Sequence, residues 1–152
     1  MADKVKFELV SPEKLLLSEE VAMVVVPGGE GNFGVLPGHM LFISTVRPGI
    51  VDVYANDAHN VTQRLFVSGG FAEVTPERCT VLADEAVPLQ DIDRAATEAE
   101  AKTVEGEIAG LKDQAARAAS EDKTGVTAQL RSAERRLAAV NAKLEAVKAR
   151  AH

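Results

Sequence analysis

The sequence is short of several features, and each shortage excludes a class of protein. Cys79 is the single cysteine, so no intrachain disulfide can form, which fits a reducing compartment. No apolar run approaches the roughly 20 residues of a membrane-spanning helix, since the longest, residues 21–26, has the length of a strand. The N-terminus lacks the apolar core of a signal peptide. We therefore expect a soluble, intracellular protein.

The chain also lacks an excess of positive charge. Its formal net charge is −6, whereas a protein that binds nucleic acid needs a positive field for the phosphates. Its 46% hydrophobic and 26% charged residues are typical of a globular protein, and 152 residues suit one ordinary domain or two small ones. Nucleic acid is not an expected partner.

The composition changes sharply at residue 88. All six prolines, all five Phe, the single Tyr and eight of the eleven glycines lie at or before it. Residues 89–152 contain no proline and no aromatic residue and are rich in alanine, the best helix former. Two structural units of different type are predicted, 1–88 and 89–152.

The first unit has short β-rich runs separated by turn signals, a spacing typical of a sandwich or barrel. Val5, Phe7 and Leu9 alternate with charged residues, which indicates a strand with one buried face. The connections are too short for crossover helices, so the strands should be mostly antiparallel. Further strands are predicted at 14–17, 21–26, 41–46, 50–54, 61–67, 71–75 and 79–83.

The second unit is predicted to be a helical hairpin, because apolar residues recur at spacings of three and four. The first helix should begin near Asp91 as its N-cap, and residues 120–125 should form the turn. The first seam consists of Ala101, Val104, Ile108, Leu111, Ala115 and Ala118. The second consists of Val126, Leu130, Ala133, Leu137, Val140, Leu144, Val147 and Ala151.

Charge favours an antiparallel pairing of these helices. Residues 89–125 hold five basic and nine acidic groups, whereas residues 126–152 hold six basic and two acidic groups. Gly106 and Gly110 each cost roughly 1 kcal/mol inside a helix, so the hairpin should be weakly held. Two interpretations stay open: an arm that leaves its resting position, and a fixed hairpin packed on the sheet.

The sequence offers little for catalysis or metal binding. His39, His59 and His152 have no metal-ligand spacing, and no nucleophile elbow, zinc-protease or phosphate-loop motif occurs. Cys79 on a strand suggests a small core residue. Acid pairs such as Asp84 and Glu85 suggest solvation and helix capping. We expect neither an enzyme nor a bound metal or cofactor.

One stretch imitates a dinucleotide-binding loop. Gly29, Gly31 and Gly34 have the GxGxxG spacing, but that motif must open a helix whose N–H groups meet the pyrophosphate. Pro37-Gly38 follows instead, and proline disfavours the helical region for the residue before it. We therefore interpret this stretch as a loop between strands.

Five segments in register resemble one family, the epsilon subunits of the F-type ATP synthase, called delta in mitochondria. They are FELVSP (7–12), EGNFGVLPGH (30–39), RPG (47–49), FVSGGFAEV (66–74) and TVLAD (80–84). The resemblance covers essentially the whole chain. It implies an all-β N-terminal domain, a flattened ten-stranded antiparallel β-sandwich, followed by an α-helical hairpin.

The resemblance also implies a non-catalytic rotor subunit of the proton-translocating synthase. The sandwich would bind the gamma subunit and the polar loops of the membrane c-ring, so that ring rotation is coupled to ATP synthesis. The subunit would lie at the cytoplasmic face of the bacterial inner membrane and reach it only through the complex. The implied contact residues are Glu30, Gly31, Asn32, Phe33, Gly34, His39 and Ser68.

In many relatives the hairpin inhibits ATP hydrolysis by engaging the catalytic beta subunit, and the implied partners of the hairpin are therefore beta and alpha. The basic second helix has the charge that such a contact with an acidic segment requires. The candidates are Arg131, Arg135, Arg136, Lys143, Lys148 and Arg150, which could equally form a solvated face or pair with the acidic first helix.

Some relatives bind ATP through an [IL]DxxRA motif, from which this chain departs. Ile92 and Asp93 match its start, but Arg94 lies in the wrong register for the phosphates. Tight ATP binding is therefore not expected. The alternatives to the rotor are a freestanding nucleotide-binding module and a coiled-coil adaptor.

Overall fold

The computed structural model describes residues 4–118 and 123–150, and the side chains of all of these except Arg150. Ten strands precede two helices, with a 3₁₀ turn at Leu89–Asp91 between them. The strands are β1 (Val5–Val10), β2 (Leu15–Val21), β3 (Met23–Gly28), β4 (Gly31–Val35), β5 (Phe42–Val46), β6 (Gly49–Tyr54), β7 (Gln63–Val67), β8 (Gly70–Val74), β9 (Arg78–Ala83) and β10 (Ala86–Pro88). The helices are α1 (Arg94–Arg117) and α2 (Lys123–Arg150).

The strands form a flattened sandwich of two layers. The first layer has the order β10-β7-β6-β3-β4 and the second β5-β8-β9-β1-β2. The layers are continuous at one point, where Gly28 of β3 pairs with Val46 of β5. All strand pairs are antiparallel except β1 with β9. The predicted fold class is confirmed.

The core lies between the two layers. Val5, Phe7 and Leu9 of β1 are fully buried, as their alternation predicted. Cys79 is also fully buried, which confirms its interpretation as a core residue. Burial of a Val, Leu or Phe side chain contributes about 1.5 to 3 kcal/mol, so this core is the main source of stability in the sandwich. Its other members include Val21, Val24, Val26, Val35, Val51, Val53, Leu65, Val67, Val74 and Val81.

The interpretation of the glycine-rich stretch as a loop between strands was wrong for its central part. Residues 31–35 form β4, which pairs with β3 as a hairpin. The reason lies in the two-residue turn of Gly29 and Glu30, which lets the chain reverse and pair at once. The predicted strand at 14–17 was also too short, because β2 continues through the polar residues 18–20 to buried Val21.

The start of α1 and the turn between α1 and α2 both differ from expectation. Asp93, not Asp91, is the N-cap of α1, and its carboxylate accepts the Ala96 N–H at 3.1 Å. Asp91 lies instead in the 3₁₀ turn. Gly125 lies inside α2, which begins at Lys123, so the predicted turn was too long. Residues 119–122 of that turn lie outside the described residues.

The two helices form the predicted hairpin along their apolar seams. Val104 and Ile108 of α1 are buried with Ala133 of α2, and Leu111, Leu130 and Leu137 pack against them at the edges. Ala151, the last seam position, lies outside the described residues. The chain divides into two compact units, Met1–Ile92 and Asp93–His152, four residues beyond the change in composition. Neither described helix is long and apolar enough to cross a bilayer.

Candidate functional site

The β3–β4 hairpin carries the glycine-rich segment, and its tip is held tightly against β5. The Gly29 N–H donates to the Thr45 carbonyl at 2.9 Å. A Cβ on Gly29 would lie 2.3 Å from Thr45 Oγ1, so any larger residue here would have to displace the Thr45 side chain. Because β4 and no helix follows this turn, the GxGxxG spacing does not form a phosphate-binding loop.

Arg47 joins this tip to the β5–β6 turn, and sequence analysis missed it as a site residue. Its guanidinium donates from Nη1 to the Gly28 carbonyl and from Nη2 to Asn32 Oδ1. Its backbone N–H donates to the Pro27 carbonyl at 2.9 Å. An arginine before Pro48 was the only signal in the sequence. The Gly28–Val46 pairing that brings the two turns together is a tertiary feature.

Phe33 is less available to a partner than the sequence suggested. Its ring is half-buried, packs against the core and meets the Phe42 ring edge-on with centroids 5.2 Å apart. The His39 ring lies 6.3 Å from the same Phe42 ring, and His39 Nδ1–H donates to the Met40 carbonyl at 2.8 Å. Gly34 is exposed, and a Cβ there would meet only Met23 Sδ at 3.8 Å.

Ser68 and the two glycines after it form a tight β7–β8 turn. The Glu85 N–H donates to Ser68 Oγ at 2.9 Å, and the Ser68 N–H donates to the Glu85 carbonyl at 3.0 Å. Gly70 has φ +151°, and a Cβ there would lie 1.9 Å from the Leu82 carbonyl oxygen. The Ser68 hydroxyl and Gly70 therefore both stabilise the turn itself.

The predicted contact residues do not form one cluster. Gly28 pairs with Val46, and Val46 pairs with Gly70, so the turns containing Glu30, Arg47 and Ser68 lie at one end of the sandwich. We call this the Glu30 end. His39 follows β4, whose five residues each advance roughly 3.3 Å, so it lies toward the opposite end.

The outer face of the second layer carries an apolar surface that sequence analysis did not single out. Phe71 pairs with Leu82, Leu82 with Val10, and Val10 with Leu15, which forms a row across four strands. Phe71 is 58% exposed, Leu15 53% and Leu82 44%. Ile43, 75% exposed, lies on the same face of β5. We call Ile43, Phe71, Leu82, Val10 and Leu15 the apolar face.

A signal for this face was present in the sequence. In β8 and β9 the inward residues, such as Ala72 and Val81, alternate with Phe71 and Leu82 at positions that a solvated strand fills with polar side chains. Exposed apolar residues that adjoin one another mark surfaces for a partner, whereas scattered ones need no explanation. The adjacency itself depends on register, which only the fold provides.

The basic residues of α2 differ in how freely they are presented. Arg131 and Arg135 are exposed, and Lys148 is exposed with a distant contact to Glu145 at 3.9 Å. Arg136 pairs with Glu107 of α1 at 2.9 Å, as the charge asymmetry predicted. Lys143 is half-buried. The side chain of Arg150 lies outside the described residues.

The residues of the incomplete ATP motif already serve the fold. Ile92 is buried, and the Asp93 carboxylate caps α1. Arg94 Nε lies 3.1 Å from Glu98 Oε1, one turn along the same helix. No guanidinium is left positioned for a phosphate at these three residues.

The part of the chain that the structure describes contains no recognisable cluster of catalytic or metal-binding side chains. No three His, Cys, Asp or Glu side chains there are grouped to hold a metal ion. Burial raises the pKa of the Cys79 thiol to about 12, which keeps it protonated at neutral pH and unsuited to act as a nucleophile. The candidate functional sites on the described surface are therefore two surfaces for binding a partner, the Glu30 end and the apolar face.

Comparison with known proteins agrees with this description. The ATP synthase epsilon chain of Rhodospirillum centenum is 51% identical over 147 residues, covering 97% of this chain and 94% of that one. The Rhodospirillum rubrum epsilon chain is 48% identical over 118 residues, covering 78% and 87%.

A solved structure supports the fold. The chain is similar to part of the Euglena gracilis mitochondrial ATP synthase OSCP/F1/c-ring structure, with a TM-score of 0.62 at 21% identity, over 100% of this chain and 84% of that one. The sequence profile of the ATP synthase Delta/Epsilon chain β-sandwich domain matches residues 4–89. The chain therefore belongs to the ATP synthase Delta/Epsilon chain family, as an epsilon chain.

Proposed function

We propose that this chain is a non-catalytic rotor subunit of a proton-translocating ATP synthase, which couples ring rotation through the gamma subunit to ATP synthesis. The observation that carries the proposal is the apolar face on a sandwich whose own core is already complete. Val10, Phe71 and Leu82 lie side by side in register, and burying them against a partner removes apolar surface from water. We assign this face to gamma.

The Glu30 end is assigned to the polar loops of the c-ring. Glu30, Gly31 and Asn32 are exposed at the tip of a hairpin that Arg47 holds. A polar, backbone-rich tip on a fixed hairpin suits a contact with polar loops, because little ordering entropy is lost on binding. The chain would then lie at the cytoplasmic face of the inner membrane and be attached to it only through the complex.

Co-purification of gamma with the full-length chain tests the gamma assignment. Phe71→Asp and Leu82→Asp place charges on the apolar face and should weaken gamma binding at least tenfold, since a charge cannot be buried unpaired. Val61→Asp, in the β6–β7 connection of the other layer, is the control and should keep gamma bound. Unchanged binding in both apolar-face variants would refute the assignment.

We further propose that the hairpin restrains ATP hydrolysis by docking α2 on the catalytic beta and alpha subunits. Arg131 and Arg135 are exposed, and Glu134 is the single acidic residue between them in the sequence. A chain ending at Ile92, the boundary of the first compact unit, should hydrolyse ATP faster in the assembled enzyme. Equal hydrolysis rates would remove the restraint while leaving the coupling role intact.

The two rival functions receive less support. A nucleotide-binding module would need a helix after Gly34, where β4 continues instead. A coiled-coil adaptor would need a free apolar seam, but Ile108 and Ala133 are buried against each other's helix within the hairpin. Calorimetric titration with ATP and sedimentation of the isolated chain would reveal either activity, as heat of binding or as self-association.

A further inference from the structure

Arg47 holds together two turns at the Glu30 end that are far apart in sequence. The β3–β4 turn contributes the Gly28 carbonyl and the Asn32 side chain, and both accept from the one guanidinium. Two acceptors on either side of a two-residue turn fix its orientation as well as its position, because the guanidinium is planar and its donors diverge in a fixed geometry.

The backbone around Arg47 is itself held in place. Its backbone N–H donates to the Pro27 carbonyl at 2.9 Å, and the following residue is Pro48, which restricts Arg47 to extended conformations. A Cβ on Gly69 would lie 3.2 Å from the Val46 carbonyl oxygen, so the neighbouring β7–β8 turn is packed closely against this corner. The guanidinium therefore extends from rigid backbone.

The hairpin needs such a restraint. Asn32 and Glu30 are exposed, and β4 pairs along β3 alone in the first layer, so the tip has strand pairing on one side only. The Gly29 N–H bond to Thr45 holds the backbone before the tip, but the residues after it are held to β5–β6 through Asn32 and Arg47.

We propose that Arg47 is a positioning residue for the ring contact: it orders the tip through Asn32 before the ring binds, and its removal weakens ring attachment without weakening gamma binding. This inference rests on the proposed ring contact of the Glu30 end. Because ordering the tip in advance lowers the entropy lost on binding, its effect is on affinity and not on the fold.

Reconstitution of the full-length chain with gamma and ring-containing membranes tests the inference. Arg47→Ala and Asn32→Ala should each weaken ring attachment about fivefold, the size expected for the loss of one ordinary hydrogen bond. Arg47→Ala also removes the bond to the Gly28 carbonyl, so its effect should be at least as large as that of Asn32→Ala, and the double variant should be no weaker than Arg47→Ala alone. Arg47→Lys keeps the charge but loses the fork, so it should restore little.

Hydrogen exchange of the free chain separates positioning from general damage. In Arg47→Ala the amides of residues 30–32 should exchange faster while those of β1 and β9 stay protected. Arg64→Ala is the matched control, since Arg64 is also an exposed arginine held by one side-chain partner, Asp52 at 3.3 Å, but it lies on the outer face of the first layer. It should change neither exchange at the tip nor ring attachment.

The outcomes are distinct. If Arg47→Ala keeps the native ring affinity, or if the Arg47 and Asn32 effects add, the positioning role is wrong. Glu30→Lys, a change at the exposed tip, tests the ring contact itself. Native affinity in Glu30→Lys would overturn that contact and the Arg47 inference with it, whereas weakened affinity in Glu30→Lys alone would overturn the Arg47 inference only.

Discussion

Arg136 and Glu107 connect the two helices of the hairpin through a two-point ion pair, with Nη1–Oε2 at 2.9 Å and Nη2–Oε1 at 3.2 Å. Hydrogen bonding to Glu107, more than any other influence, raises the pKa of Arg136. The pair lies beside the small apolar contact of Ile108 with Ala133, so it adds a directional contact where packing is thin.

Replacing Glu107 by Gln should loosen the hairpin in a salt-dependent way. Both side chains are about half exposed, so water already weakens the attraction between them. At about 1 M salt the Debye length is roughly 3 Å, and the attraction should largely disappear. Hydrogen exchange of the α1 amides at low and high salt measures this. Exchange that is equally fast in the native chain at both salt concentrations would show that the pair does not hold the helices.

Gly106→Ala and Gly110→Ala should each stabilise α1. A Cβ at either position meets nothing within 4 Å, so the substitution adds no clash, and alanine gains about 0.5 to 1 kcal/mol over glycine inside a helix. Urea unfolding followed by circular dichroism measures the gain. If the restraint on ATP hydrolysis depends on how readily the hairpin opens, these stabilised variants should also change the ATPase activity of the assembled enzyme.

Gly70→Ala, in contrast, should destabilise the sandwich. Its added Cβ would lie 1.9 Å from the Leu82 carbonyl oxygen, and φ of +151° is costly for any side chain, so a loss of about 2 kcal/mol or more is expected. Gly34→Ala is the control, because only Met23 Sδ, at 3.8 Å, approaches its Cβ position. Thermal unfolding of the two variants should differ by several degrees.

Stability of the sandwich should fall at high pH because of Cys79. Burial raises the pKa of the thiol from 9.0 to about 12, so the folded chain keeps the proton that the unfolded chain loses. Below about pH 9 the thiol is protonated in both the folded and the unfolded chain, so it does not lower the free energy of unfolding. As pH rises from about 9 toward 12, only the unfolded chain loses the proton, and the free energy of unfolding falls by about 1.4 kcal/mol per pH unit.

The matched control for this pH dependence is Cys79→Ala, which removes the thiol. Other groups titrate in the same range, so the measured quantity is the difference between the two chains. The unfolding free energy of the native chain should fall by about 2 kcal/mol more than that of Cys79→Ala between pH 8.5 and pH 10.5. Parallel pH profiles would show that burial of Cys79 does not perturb its ionisation.

The sequence by itself determined the two units, the mostly antiparallel sandwich and the helical seams. These depend on periodicity and composition, which are local: Val5, Phe7 and Leu9 alternate, and apolar residues recur four apart in each helix, at Val104 and Ile108 in the first and at Ala133 and Leu137 in the second. Burial of one face follows from such a pattern whatever the neighbours are. The segments that resemble the family also supplied its identity.

Tertiary structure alone decided where the contact surfaces lie. The pairing of Gly28 with Val46 brings Arg47 to Asn32, and strand register places Phe71, Leu82 and Val10 side by side. The same register separates His39 from Glu30, although the sequence placed them in one segment. Periodicity shows which face of a strand is buried, but which strands adjoin depends on long-range pairing, and the surfaces of this protein arise from that pairing.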